Sequence, residues 1–364
     1  MSGWGKPSLR TVRTSNAVES ISTWFCGVKD MGRGIVFSGK NQVETEAFEL
    51  PVLGPSEVRG RTIVTLVSPG TEFAWLTGDA FPLRPGYAAV FEVEELGALV
   101  TGIEAGDRLF CMGPHRSLQQ VDFRYTLKVP SGLPADVAVL ARLAGVSMTT
   151  LMTTKARPGD VVVITGAGPV GYLAAQLFRL SGYDVSVVDP DPIRRRQVES
   201  AGIVHVYSSM PFDDPRVAGK VALVVDCSGH EGAVLDGCRI ARPHGEVVLV
   251  GVPWKRLTDI HAHDILHAVF NNFVHLRSGW EWEVPVLAKA FKWEELLEGY
   301  NNNAQSVFSG FAKILSWLAD GRIHTSGLIR HISPDNPAVT YEALKARAFE
   351  EPFIVFDWNS ESKG

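Results

Sequence analysis

The stretch Val161-Val-Val-Ile-Thr-Gly166-Ala-Gly168-Pro-Val-Gly171-Tyr172 decides the fold. Its first residues are an apolar, β-branched run of strand length, followed at once by G-x-G-x-x-G and by a segment with helical spacing, Tyr172–Ser181. In such a strand–loop–helix unit the first glycine admits the tight turn, the second lets a pyrophosphate approach the backbone, and the third lets helix pack on strand. Phosphates then lie at the helix N-terminus, where unpaired N–H groups and the positive end of the dipole converge. Gly166, Gly168, Pro169, Val170 and Gly171 are therefore assigned to dinucleotide binding. The next strand, Asp184-Val-Ser-Val-Val-Asp189, ends in a carboxylate eighteen positions after Gly171. A carboxylate there accepts hydrogen bonds from the adenosine ribose hydroxyls and repels a 2′-phosphate, so Asp189 favours NAD(H) over NADP(H). The counter-signal is Arg194-Arg195-Arg196, of which Arg194 is a candidate phosphate contact. Three successive residues cannot share one helix face, so most of that cluster is expected to be solvated.

Outward from this unit, strand and helix alternate. Strands are expected at Val161–Ile164, Val185–Val188, His205–Tyr207, Val221–Val225 and Glu246–Val250, with helices at Tyr172–Ser181, Pro192–Ala201 and Gly232–Ala241. Runs that are apolar throughout belong to parallel strands covered on both faces, which makes this a doubly wound α/β sheet. Asp226, Ser228 and Gly251 follow strand ends on the edge where such sheets bind ligands, and are candidate cofactor contacts.

From Gly32 to about Lys128 the texture differs: short β-branched runs such as Arg61–Val67 and Ala88–Val93 are punctuated by Gly54-Pro55, Gly106-Asp107 and Gly113-Pro114, the pattern of an antiparallel β domain. Helical spacing appears at Pro134–Thr154 and Ala304–Asp320. Beyond Gly321, a β-like run Leu328–Ile332, a helix around Tyr341–Arg347 and a strand Phe353–Phe356 leave the βα rhythm and are expected to complete the first domain. The expected organisation is an N-terminal extension over 1–31, a β-rich domain made of 32–150 and 325–364, and a dinucleotide-binding domain over 151–324.

Composition narrows the classes. In 364 residues there are 35 Lys+Arg against 40 Asp+Glu, a formal net charge of −5, and no block of like charge; nothing marks a nucleic-acid binder. Hydrophobic residues make up 45% of the chain, enough for a core in each domain. The four cysteines, Cys26, Cys111, Cys227 and Cys238, form no C-x-x-C pair, so neither a disulfide framework nor a thiolate zinc knuckle is written locally. With no signal-peptide pattern and no apolar run of membrane-spanning length, a soluble cytoplasmic protein is expected, with no membrane partner.

The layout resembles the medium-chain dehydrogenase/reductase superfamily from about Gly32 onward. The stretches that carry the likeness are Arg84-Pro-Gly-Tyr-Ala-Ala-Val-Phe-Glu-Val93, Gly102-Ile-Glu-Ala-Gly-Asp-Arg-Leu-Phe110 and Lys155-Ala-Arg-Pro-Gly-Asp160 before the glycine loop. The resemblance implies a GroES-like β domain carrying the substrate site beside a Rossmann domain, a small-molecule substrate, and a homodimer. Many members hold a catalytic zinc; here Pro69 stands where the first zinc cysteine is expected, Gly86-Tyr87-Ala88 replaces Gly-His-Glu, and the region Arg142–Val146 supplies no third ligand. Val67-Ser-Pro-Gly-Thr-Glu72, Trp75-Leu-Thr-Gly78 and Phe110-Cys-Met-Gly-Pro-His115 look most like the zinc-less branch that includes bacteriochlorophyllide a dehydrogenases. No zinc is expected.

Without the metal, a side chain must stabilise the developing alkoxide and move its proton. Tyr87, at the position matching the zinc histidine, is the first candidate. Glu72 is expected near the same pocket, to orient Tyr87 or bind a substrate hydroxyl. His115 follows a Gly-Pro turn, and an imidazole suits acid/base work or a proton relay. Arg142 suits either an anionic substrate or an ion pair at the edge of the core. His261, His263 and His267 put two imidazoles at i and i+4 on one helix face but lack a completing ligand. Trp280-Glu281-Trp282 is expected at a subunit interface or over the pocket. The leading expectation is interconversion of a secondary alcohol and a ketone. A C=C reductase of quinones or enones, a dinucleotide-binding protein without turnover, and an epimerase that recycles bound NAD stay open.

Overall fold

The computed structural model describes residues 31–284 and 305–360. The N-terminal extension, apart from Met31, and the start of the helix expected from Ala304 lie outside them. Strands β1 (Met31–Gly39) and β2 (Gln42–Glu49) form an antiparallel hairpin. They are followed by β3 (Glu57–Leu66), helix α1 (Pro69–Leu76), β4 (Ala89–Leu96), β5 (Arg108–Cys111), β6 (Leu118–Asp122) and β7 (Thr126–Lys128). Helices α2 (Ala135–Ala138) and α3 (Ala141–Thr153) lead into β8 (Val161–Thr165), α4 (Pro169–Leu180), β9 (Asp184–Val188), α5 (Pro192–Ser200), β10 (His205–Tyr207), β11 (Val221–Asp226), α6 (Glu231–Ile240), β12 (Ala241–Leu249), α7 (Ala262–Asn271) and β13 (His275–Ser278). Last come α8 (Val307–Ala319), β14 (Ile329–Ile332), α9 (Pro337–Lys345) and β15 (Phe353–Asp357).

Six strands make a fully parallel sheet in the order β10-β9-β8-β11-β12-β13. Counted along the chain, the order runs third, second, first, fourth, fifth, sixth, so the connectivity reverses between β8 and β11. That reversal opens the crevice in which doubly wound sheets take dinucleotides. The strands read as apolar runs because helices cover both faces: Val162, Val163 and Ile164 are all fully buried. A second sheet, β14-β15-β3-β4-β5-β7 with β6 on β3, is mainly antiparallel, and β15 lies antiparallel to β3. The C-terminal strands thus join the sheet begun near the N-terminus, while α8 packs beside α3.

One apolar cluster runs from Val64, Val90 and Phe110 of the antiparallel sheet, through Leu140, Leu143, Ala144 and Met148 along α3, to Ile164, Leu173 and Val225 of the parallel sheet. Helix α3 is therefore a shared wall. Its mean hydropathy with α2 would suit a membrane, but the segment is mostly buried inside the protein.

Helix α1, helix α7 as a whole and strand β13 lie outside the expected elements: α1 sits in a stretch that reads as β-rich, α7 is marked in the sequence only by its histidine pair, and β13 is a four-residue edge strand, too short for alternation to register. Helix α4 begins at Pro169 rather than Tyr172, because proline at the first helical position sacrifices only an N–H that would lack an intrahelical partner.

Candidate functional site

The glycine loop is built by sterics. Gly166 sits at φ +83°, a left-handed conformation that favours glycine. A Cβ on Gly171 would stand 1.7 Å from the Gly166 carbonyl oxygen, so only glycine lets α4 start this close to the turn. Gly168 is the N-cap and supplies no side chain, which leaves the first N–H groups of α4 without a side-chain cap. Anionic phosphate fits that cradle.

Asp189 is buried and turned into the loop: Oδ2 accepts from Ala167 N at 2.6 Å and Oδ1 from Asp191 N at 2.8 Å. It braces the glycine turn from the neighbouring strand. The arginine cluster is less free than expected. Arg194 Nη1 stands 3.7 Å from Asp189 Oδ2 and near Gly168, and Arg195 Nη1 donates to the carbonyl oxygens of Asp189 and Pro190. The helix begins at Pro192 with Asp191 as its cap, so these two side chains turn back toward the Asp189 end of the strand while staying partly exposed.

Across the crevice, Asp226 ends β11. Its carboxylate accepts from Thr165 Oγ1, Ser228 Oγ, Ser228 N and Gly229 N. Burial pushes the carboxyl above its ordinary range, and these hydrogen bonds oppose the shift. Asp226 ties the ends of β8 and β11 together. Ser228 is exposed at the crevice, and Gly251 passes so close to Gly229 that a Cβ would meet its nitrogen at 2.4 Å.

Tyr87 precedes β4 and is half-buried. Its Oη donates to Ser68 Oγ at the start of α1, with Thr71 Oγ1 at 3.5 Å. Trp75 meets the ring edge-on with centroids 5.9 Å apart, and the Arg142 guanidinium lies 4.5 Å from the ring centroid. Burial raises the phenol pKa above 10.0, and Arg142 opposes the shift. Ser68 and Thr71 were missed in the sequence; they lie within the Ser-x-Gly-Thr-Glu pattern that was noticed for Glu72.

Glu72 and His115 are brought together, but not with Tyr87. The Glu72 carboxylate accepts from Ser68 N at 2.8 Å and from Tyr341 Oη, and it stands 3.2 Å from His115 Nε2. His115 Nδ1 is 2.8 Å from Thr65 Oγ1, which accepts from Trp358 Nε1 at 3.0 Å. One arrangement satisfies every group: Thr65 gives its hydroxyl proton to Nδ1, and Nε2–H of a neutral imidazole donates to Glu72. All five side chains are buried. This network joins α1, β3, α9 and the end of β15 to the loop after β5; Glu72 reaches Tyr87 only through Ser68.

Arg142, in the first turn of α3, makes a bidentate ion pair with Glu281, both bonds at 2.6 Å, and both residues are buried. The carboxylate outweighs burial and holds the guanidinium above its ordinary pKa. Trp280 beside it is exposed.

His263 and His267 share a face of α7 with ring centroids 6.0 Å apart, and His261 precedes the helix. Among the described residues no three His, Cys, Asp or Glu side chains gather as metal ligands. Around Tyr87 the donors are neutral hydroxyls and the nearest charge is a guanidinium, a set that does not fit a zinc ion.

A family model described as "Zinc-binding dehydrogenase" matches residues 169–278. L-threonine 3-dehydrogenase of Pyrococcus furiosus is 26% identical over 280 residues, covering 64% of this chain and 79% of the relative. (R,R)-butanediol dehydrogenase of Bacillus subtilis is 23% identical over 224 residues, 52% of this chain and 64% of that protein, so the match spans under two thirds of its length. The crystal structure of galactitol-1-phosphate dehydrogenase from Escherichia coli superposes with a TM-score of 0.73 at 15% identity, over 89% of this chain and 99% of that one, which shows a shared fold. With a glycine loop at the reversal of a six-stranded parallel sheet and an antiparallel sheet completed by the C-terminus, the chain is similar to zinc-binding dehydrogenases over residues 169–278 and shares the two-sheet fold of the galactitol-1-phosphate dehydrogenase structure.

Proposed function

We propose that this protein is a zinc-independent, NAD(P)-dependent oxidoreductase that interconverts a secondary alcohol and a ketone on a hydroxylated small molecule. The observation that carries the reading is Tyr87, a half-buried phenol bonded to Ser68 and flanked by a fixed cation. Gly166, Gly168, Pro169, Val170 and Gly171 would cradle the dinucleotide phosphates, and a nicotinamide held there would supply or accept the hydride. The Tyr87 phenol donates its proton to the carbonyl oxygen during reduction, and as phenolate takes the alcohol proton during oxidation. Ser68 Oγ, already its hydrogen-bond partner, passes the proton on. Because its pKa lies above 10.0, the phenol stays protonated at neutral pH. Reductive turnover is expected to stay flat through neutrality and fall only at strongly alkaline pH as the phenol ionises.

The carboxylate of Asp189 at the adenosine end supports NAD(H) as the preferred cofactor, and Arg194 opposes it; relative NADH and NADPH affinities measure the balance. Exposed apolar residues on α7 and the outer edge of β13 support a homodimer. The three described cysteines, Cys111, Cys227 and Cys238, are free thiols, which supports a cytoplasmic location.

The test is Tyr87→Phe, assayed on a panel of ketones and secondary alcohols. A loss of about 10²–10³-fold in kcat with unchanged NADH binding is expected. Turnover within a few-fold of wild type would overturn the reading and favour C=C reduction, in which no alcohol proton is moved.

A further inference from the structure

Arg142 is not among the residues assigned to the cofactor, and the proton transfers proposed for Tyr87 do not pass through it. Yet a charged side chain is buried here, where charge is tolerated only with a well-matched partner. Its surroundings are specific on two sides. On one side, Nη1 and Nη2 each meet a Glu281 carboxylate oxygen at 2.6 Å, a fork that allows one orientation of the guanidinium. Glu281 is itself anchored, its carbonyl oxygen accepting from Thr149 Oγ1 two turns further along α3. On the other side is the face of Tyr87 at 4.5 Å, inside the distance at which a cation is drawn to an aromatic ring. Phe311 of α8 stands 5.8 Å from the same guanidinium.

We propose that Arg142 is a positioning residue for Tyr87: held by Glu281, it clamps the phenol ring by its face and keeps a permanent positive charge against it. The inference rests on the reading of Tyr87 as the proton-transfer group. The ring then has little freedom, with Trp75 at its edge, Arg142 on its face and Ser68 on its hydroxyl. The groups that face it are few. From α1 and its cap come Glu72, whose negative charge disfavours the phenolate, and Ser68 and Thr71, whose hydroxyls favour it. From α3 comes Arg142, the nearest positive charge. Burial is the largest influence and keeps the phenol protonated; Arg142 limits how far. An ordinary structural brace between α3 and the loop after β13 would also bury an Arg–Glu pair, but it would not need to stack on the phenol.

The two roles separate by titrating the phenol itself, in protein free of cofactor and substrate. The alkaline tyrosinate absorbance of Tyr87 is read as wild type minus Tyr87→Phe, and again in the Arg142→Met/Glu281→Leu background. Removing both partners together avoids stranding a buried charge, and such replacements commonly leave stability intact. The phenol is expected to titrate about one pH unit or more higher in the double variant. Arg142→Lys, which keeps the charge paired with Glu281, is expected to bring the titration most of the way back. Should the double variant not fold, Arg142→Lys decides alone through the Tyr87 ring-carbon resonance: ring flipping faster than in wild type supports the clamp, and ring motion unchanged from wild type overturns it. A double variant that folds and titrates within a few tenths of a unit of wild type overturns the proposal while leaving the catalytic reading of Tyr87 standing. That reading fails separately, through full turnover in Tyr87→Phe.

Discussion

Tyr87 and Ser68 show how a side chain's chemistry is legible before its company is. The phenol was marked by its position in Arg84-Pro-Gly-Tyr87, but its partner lies nineteen residues earlier and meets it only through the packing of α1 against the start of β4. Replacing Ser68 by alanine removes one hydrogen bond to the Tyr87 oxygen proposed to transfer the proton. The expected loss is about tenfold in kcat, with the melting temperature unchanged, because the Ser68 main-chain N–H to Glu72 is kept. An equal fall in kcat and stability would assign Ser68 to the scaffold instead. The sequence points to Glu72 as a residue that orients Tyr87 or binds a substrate hydroxyl, and to His115 as an acid/base group or proton relay. Both are buried, and the network with Thr65, Tyr341 and Trp358 holds elements together. Glu72→Ala strands two buried donors and an imidazole, and is expected to destabilise the fold by about 3–5 kcal/mol in denaturant titration. Unaltered stability with lost activity would return Glu72 to the catalytic machinery.

At the scale of elements, the β8–loop–α4 unit was fully written in the chain, since each glycine answers a local steric demand. Gly171→Ala would drive a methyl into the Gly166 carbonyl, pushing α4 away from the turn. Loss of NADH fluorescence enhancement is expected, with far-ultraviolet circular dichroism close to wild type; intact binding would mean that the phosphates do not lie on this loop. The arginines of α5 were only half legible. Helical spacing says that three neighbours cannot share a face, but the capped start at Asp191 lets Arg194 and Arg195 curl back to the Asp189 end of β9. Strand β13 is not legible for another reason, since four residues are too few for an alternating pattern to register.

Across the whole molecule, the outward-facing apolar residues of α7 carry a prediction of their own. Leu266 and Phe270 on α7 are 66% and 81% exposed, beside a strand whose far edge has no pairing strand among the described residues. An apolar surface next to an open edge favours association. Light scattering on the purified protein is expected to give a dimer, and Leu266→Asp/Phe270→Asp a monomer. A monomeric wild type at micromolar concentration would refute this. Helix α3 ties the molecule together: its apolar residues bridge both sheets, and its first turn sends Arg142 to Glu281 and Tyr87. By itself the sequence determined the parallel sheet, the glycine loop and the chemical kinds of residue near the site, because strand periodicity, turn sterics and functional groups are properties of neighbouring residues. Only the tertiary structure decided which of those groups meet and which are sealed from solvent. Arg142 and Glu281 are 139 positions apart, Glu72 and Tyr341 269, and no local rule connects residues whose contact depends on two sheets closing around one helix.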